Sequence, residues 1–183
     1  MSTGNNAKEQ KFIKIYEVYV DDIYQFIYTR SGFDIPVAED ITQDIFLDVF
    51  KGLDEFKGLC SERTWIFRIA RNKLNDFYRR QYSRKFESCE LEAGGQLQDP
   101  AQDIDAIIEK SVESRLVREC LSKLPQHYRL TLLMKYVDGK SIKQIANVST
   151  KATKATKATE SMLQRAKGAF IKEYQSSKER EER

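Results

Sequence analysis

Between Arg63 and Arg80 the chain carries six cations, Arg63, Arg68, Arg71, Lys73, Arg79 and Arg80, with Asp76 the one acid among them. Guanidinium and ammonium groups at that density neutralise phosphates and release their counterions, so the chemistry on offer is nucleic-acid binding. Other reagents are scarce. The single histidine, His127, follows Pro125 at the start of an apolar run and reads as a capping or surface residue. Asp40, Asp44 and Asp48 repeat at i, i+4 without a His or Lys partner, the pattern of an acidic protein-docking face and not of a metal-dependent nuclease. There is no glycine-rich phosphate loop and no nucleophile or metal motif. The expectation is a protein that is not an enzyme, with no catalytic residues, no metal and no cofactor.

The elements that must position these groups follow from periodicity. In the basic stretch Trp65, Ile66, Ile69, Ala70, Leu74 and Phe77 recur at steps of three and four, so it is a helix with one face in a core, and Trp65 is expected among the core anchors. Upstream, Phe12, Ile15, Tyr16, Tyr19, Val20, Ile23, Phe26 and Ile27 predict a long amphipathic helix, ended by Gly32 and by Ile35 before Pro36. A second helix from Pro36 has Ile41, Ile45, Phe46, Val49 and Leu53 for its core face. Acids fill its exposed positions, and Phe46, Leu47 and Phe50 leave apolar surface open beside them. The connector Asp54–Thr64 bends at Gly58, and Ser61 with Glu62 or Thr64 caps the basic helix.

After residue 82 the character changes. Glu87, Glu90, Glu92, Asp99, Asp103, Asp105 and Glu109, interrupted by Gly94, Gly95 and Pro100, describe an acidic linker. Helical spacing returns from Val112 to Leu124, and again from Tyr128 to Val137, stopped by Asp138-Gly139. Ser141 then caps a short helix facing inward through Ile142, Ile145 and Ala146, and a last helix runs through Ser161 to Tyr174. Two helices joined by a turn behind a packing helix outline a helix-turn-helix DNA reader. The turn holds a perfect triplet repeat, KATKATKAT, from Lys151 to Thr159. Ala and Lys favour helix and Thr does not, so the repeat is marginally helical; it reads either as a low-complexity solvent loop or as a basic arm at the entrance of the recognition helix, which its position favours.

Composition agrees with a soluble helical protein: 183 residues, 40% hydrophobic, only eight Gly and three Pro. The net charge of +3 is small, so charge distribution carries the argument. Cys60, Cys89 and Cys120 have no CxxC spacing and form neither a disulfide framework nor a zinc knuckle; a reducing, cytoplasmic compartment fits. The polar N-terminus lacks a signal-peptide core, and no run approaches a membrane span, so no membrane insertion is expected.

The segments AEDITQDIFLDVFKGLDEF and SERTWIFRIARNKLNDFYRR resemble the second conserved region of sigma factors of the extracytoplasmic-function group, in the sigma-70 family. LSKLPQHYRLTLLMKYVDGKSIKQIA and TESMLQRAKGAF resemble the fourth. The resemblance covers roughly residues 12–82 and 113–174. It implies that Asp40, Gln43 and Asp44, with Phe46, Leu47 and Phe50, bind the clamp helices of the RNA polymerase β′ subunit. It implies a loop of Phe56, Lys57, Gly58 and Ser61 that captures a base flipped from the minus-10 element, and minus-10 contacts from Arg68, Arg71, Asn72, Asn75, Arg79 and Arg80. Flipping costs a few kcal/mol that pocket and backbone contacts must offset. Arg grips phosphate, while Asn can be bidentate to a base edge.

For the minus-35 element the resemblance implies Lys154, Lys157, Glu160, Ser161, Gln164 and Arg165. Between Ala146 and Ser161 stand fourteen residues, three more than the family pattern; deleting one KAT triplet restores the spacing. Ser149 and Thr153 then occupy positions where the family generally places apolar residues. Further implied partners are the polymerase β flap, promoter DNA and an anti-sigma factor.

The expected architecture is all-α: a disordered tail over 1–9, a helical domain over 10–82, an acidic flexible linker over 83–110, a helix-turn-helix domain over 111–175 and a tail over 176–183. The expected function is that of a sigma factor which binds core polymerase and directs promoter recognition, DNA opening and initiation. The alternative is a helix-turn-helix regulator that acts without core polymerase.

Overall fold

The computed structural model describes residues 3–86, 115–149 and 155–181, which hold seven α-helices and no strand. The all-α expectation is met. The chain divides into two compact units, residues 1–77 and 78–183.

In the first unit, α1 (Thr3–Arg30) packs along α2 (Ile35–Gly52), a 3-10 turn (Leu53–Glu55) follows, and α3 (Glu62–Phe86) begins. The Asp34 carboxylate accepts from the Val37 N–H at 3.2 Å and Pro36 sits in the first turn, where its missing N–H costs nothing, so α2 starts where the sequence places it. Ile23 and Ile27 of α1, Ile45 and Val49 of α2 and Ile66 and Ala70 of α3 are wholly buried. Each fully buried Ile contributes about 1.5–3 kcal/mol of transfer free energy. Helix α3 is capped by Ser61, whose Oγ accepts from the Thr64 N–H at 3.1 Å.

In the second unit, α4 (Arg115–Lys123), α5 (Gln126–Tyr136) and α6 (Ile142–Ser149) pack against α7 (Ala155–Glu181). The core is Val117, Leu121, Leu130, Leu132, Leu133, Met134, Ile145, Ala166 and Phe170. Helix α5 stops as expected at Gly139, with φ +63; the Lys140 N–H reaches back to the Met134 carbonyl at 3.0 Å. Helix α6 opens on a reciprocal cap: the Gln144 N–H donates to Ser141 Oγ at 3.3 Å, and the Ser141 N–H donates to Gln144 Oε1 at 2.8 Å. Lys123 joins α4 to α7 by an ion pair with Glu173 at 2.8 Å.

Four boundaries differ from expectation. The segment 1–9, expected as a disordered tail, is helical from Thr3, where Lys8 pairs with Asp54 and lies 4.9 Å over the Phe50 ring. The linker expected from 83 gives way to helix as far as Phe86, and the tail expected from 176 is helical to Glu181. Both run on because Ser, Gln, Lys, Arg and Glu tolerate a helix and no Gly or Pro interrupts them. The division between units falls at Tyr78, inside α3, because Tyr78 and Tyr82 are buried in the second unit. The remainder of the expected linker, 87–110, lies outside the described residues, as do Lys151, Thr153 and Lys154 of the repeat.

Candidate nucleic-acid interface

At about 100° per residue, Arg68, Arg71, Asn72, Asn75 and Arg79 fall on one stripe of α3, opposite the stripe of Ile66, Ala70, Leu74 and Phe77. Arg68, Arg71, Asn72 and Arg79 are exposed and Asn75 is half-buried, so the structure brings five of the expected residues onto a single polar face. Arg80 is exposed but turned about a third of the way round the helix. The other two cations of the stretch serve the fold: Arg63 pairs with Asp22 at 2.5 Å, and Lys73 pairs with Asp48 at 2.9 Å. Arg63 also lies 4.7 Å over the Phe67 ring.

The connector before α3 presents Lys57 and Gly58 to solvent, with Leu59 91% exposed. Phe56 is half-buried and stacks on Trp65, ring centroids 4.7 Å apart at 24°. Ser61 is exposed, but its hydroxyl is engaged by the cap and by Thr64 Oγ1 at 2.8 Å. Trp65 departs from its expected place in the core. It is half-buried because it lies about 100° round the helix from the Ile66–Phe77 line, and Ile66 takes the core position.

Trp65 instead walls a groove of about 520 Å³ with Asp48, Gly52, Asn72, Lys73 and Asp76. Gly52 lets the Trp65 ring lie close to the α2 backbone; a Cβ there would stand 3.3 Å from Trp65 Cζ2. The family resemblance named Asn72 but the sequence reading missed Trp65, Asp48 and Asp76 as neighbours of the nucleic-acid face. The available signal was the aromatic pair at Phe56 and Trp65 flanking a glycine bend.

On α2, Asp40, Gln43, Asp44 and Leu47 share one exposed stripe, opposite Ile45, Val49 and Leu53. Leu47 is 55% exposed, an apolar residue among acids, as the sequence reading anticipated. Phe46 is not open surface. It is buried edge-on to the rings of Tyr16 at 4.8 Å and Phe12 at 6.4 Å, because α1 carries aromatics at i and i+4 over that position. Phe50 is half-buried against Phe12, 5.2 Å away. Phe46 and Phe50 therefore stiffen the acidic stripe from behind, leaving Leu47 as the apolar contact.

In the second unit, Lys157, Glu160, Ser161 and Gln164 form one exposed stripe of α7, opposite buried Thr159, Met162, Leu163, Ala166 and Phe170. Arg165 is half-buried beside them and donates from Nε to the Ser161 carbonyl at 3.4 Å. The triplet repeat is thus helical from Ala155, and Thr159, its last residue, is core. Lys154 lies outside the described residues. Among the described residues no group of three or more His, Cys, Asp or Glu side chains is placed to hold a metal, and no helix is long and apolar enough to cross a membrane.

Shifted titrations lie in the second unit. Burial pushes the Tyr82 phenol well above its ordinary 10.0, against the Thr131 hydrogen bond, and burial raises the Cys120 thiol. The Lys123 hydrogen bond lowers Glu173.

Comparison with known proteins gives the following. The sigma-70 region 2 family matches residues 15–84, and the sigma-70 region 4 family matches residues 114–149. The chain is 28% identical over 144 residues to the ECF RNA polymerase sigma factor SigW of Bacillus subtilis, covering 75% of this chain and 76% of that one. It is 28% identical over 126 residues to the ECF RNA polymerase sigma-E factor of Escherichia coli K12, covering 65% of this chain and 63% of that one. Among solved structures it is similar to the sigma factor RpoE in its complex with the anti-sigma factor NepR from Bartonella quintana. That match has 19% identity and a TM-score of 0.44, over 91% of this chain and 98% of that one.

Proposed function

We propose, for a chain that belongs to the extracytoplasmic-function group of the sigma-70 family of RNA polymerase sigma factors, how its surfaces divide the work of initiation. The protein is a sigma factor that directs promoter recognition with RNA polymerase; like its family, it is an initiation factor and not an enzyme. The α2 stripe of Asp40, Gln43, Asp44 and Leu47 docks the clamp helices of the β′ subunit, charge steering the encounter and Leu47 supplying apolar contact. The α3 stripe meets the minus-10 element, Arg68, Arg71 and Arg79 on phosphates and Asn72 and Asn75 on base edges. The Phe56–Ser61 loop and the adjoining groove receive the flipped base, assisting DNA opening. The α7 stripe reads the minus-35 element, and the helix-turn-helix unit meets the β flap. An anti-sigma factor that covers these surfaces belongs to the same reading, as does a cytoplasmic location beside the polymerase.

The observation that supports this assignment is that Asp40 and Asp44 of α2 and Arg68 and Arg71 of α3 lie on two separate exposed stripes within one unit. One unit with two opposite charges suits a protein held between a basic protein surface and DNA. The test is Asp40→Arg with Asp44→Arg in the full chain, both positions being exposed so that the fold survives. Co-purification with core RNA polymerase is expected to be lost; a complex that persists unchanged removes the α2 stripe from the polymerase interface.

A further inference from the structure

We propose that Lys11 and Lys14 of α1 bind phosphates of single-stranded promoter DNA beside the Phe56–Trp65 stack, making α1 a second wall of the nucleic-acid interface. Every third residue from Lys8 to Lys14 is a lysine, and the helix that carries them begins at Thr3. Lys8 pairs with Asp54 and lies over the Phe50 ring, which fixes this end of α1 against the 3-10 turn. Lys11, which is exposed, lies 5.7 Å over the ring of Phe56, and Phe56 in turn stacks on Trp65. Farther along α1, Asp22 pairs with Arg63 at the start of α3. At about 100° per residue, Lys11, Lys14, Val18 and Asp22 fall within about 80° of one another, so all four share one flank of α1. The connector therefore touches that flank at two points, Phe56 on Lys11 and Arg63 on Asp22, which stand roughly 16 Å apart by helix rise. Between them Lys14 is exposed and Val18 is 66% exposed, so a strip of α1 stays open to solvent alongside the connector.

The ligand class follows from what borders this strip, and rests on the reading in which the Phe56–Ser61 loop receives the flipped base. Single strands bind where aromatic rings offer stacking surface beside cations that track the backbone. Here Trp65, Arg68 and Asn72 follow one another at steps of three and four on α3, so the aromatic pair continues directly into the polar stripe. On its other side the pair meets Lys11, and Lys57 stands exposed in the connector. Cations thus flank the stack from both helices, as a strand that crosses it requires of its phosphates on either side. The carboxylates at the two ends of the strip, Asp54 and Asp22, already pair with Lys8 and Arg63. Lys11 and Lys14, three residues apart, have Cβ atoms about 5–6 Å from each other, so their long stems can meet neighbouring phosphates of one strand.

The test uses the full chain bound to core polymerase, with a promoter whose minus-10 strand is left single and a duplex fragment that carries the minus-35 element alone. Lys11→Gln with Lys14→Gln is expected to weaken binding to the pre-opened promoter roughly tenfold to thirtyfold at about 0.1 M salt. The slope of log affinity against log salt should fall by about 0.7 for each lysine. Lys11→Arg with Lys14→Arg should restore both, and the minus-35 fragment should bind all variants alike. Co-purification with core polymerase checks that each variant folds. An unchanged affinity and slope on the pre-opened promoter overturns the α1 contacts, and so does an equal loss on the minus-35 fragment. Phe56→Ala separates this inference from the reading beneath it. If Phe56→Ala weakens binding to the pre-opened promoter and the lysine variant does not, only the α1 contacts fall. If the lysine variant weakens it and Phe56→Ala does not, the α1 contacts stand and the base-capturing loop is what fails.

Discussion

Single residues set where helices stop and how they answer pH. Gly139 holds φ +63, a conformation that L side chains occupy at a cost, and nothing crowds a Cβ there. Gly139→Ala is therefore expected to destabilise the second unit by about 1–2 kcal/mol through backbone strain alone, measured by urea unfolding. Tyr82 supplies a pH signature. Its folded phenol resists ionisation, while the unfolded chain ionises near 10.0, so above that value the unfolded state holds fewer protons. Stability then falls as pH rises, and the contribution is whole below the unfolded value. Tyr82→Phe should flatten the decline in melting temperature between about pH 9 and 11 relative to the parent protein. Glu173 works in the opposite sense: its lowered folded value means the Lys123 pair supports the fold above the ordinary carboxylate range and weakens as pH falls.

At the scale of elements, the amphipathic period did most of the work. The acidic face of α2 and the basic face of α3 were legible because residues at steps of three and four must share a face whatever the neighbours are, whereas the α7 residues came from the resemblance. The period left two things open. It could not say that Phe46 belongs to the core, since that depends on Phe12 and Tyr16 arriving from α1. Nor could it say that Trp65 turns out of the core to stack on Phe56 across a bend. The KAT repeat is the other test of an element. Thr159 is buried and Lys157, Glu160, Ser161 and Gln164 are exposed, so α7 has its register by Ala155. Removing Lys151–Thr153 takes out one triplet N-terminal to α7. Footprinting and affinity on minus-35 DNA are expected to change with the deletion; unchanged binding would show that the triplet is a passive spacer.

For the whole molecule, binding to DNA should be governed by salt. Replacing Arg71 with Ala, at an exposed position on the polar stripe of α3, is expected to reduce the slope of log affinity against log salt by about one for the polymerase-bound protein. An unaltered slope would take Arg71 off the phosphate backbone. The amino-acid sequence by itself determined the all-α class, the caps at Ser61 and Ser141, the stop at Gly139, the acidic face of α2 and the basic face of α3. These depend on local propensity and on neighbours within one or two turns. Only the tertiary structure decided that Phe46 lies under the acidic face, that Trp65 walls a groove with Gly52 and Asp48, and that Tyr82 meets Thr131. Those outcomes rest on side chains far apart in the chain, up to the 49 positions between Tyr82 and Thr131, and no period within a helix carries them.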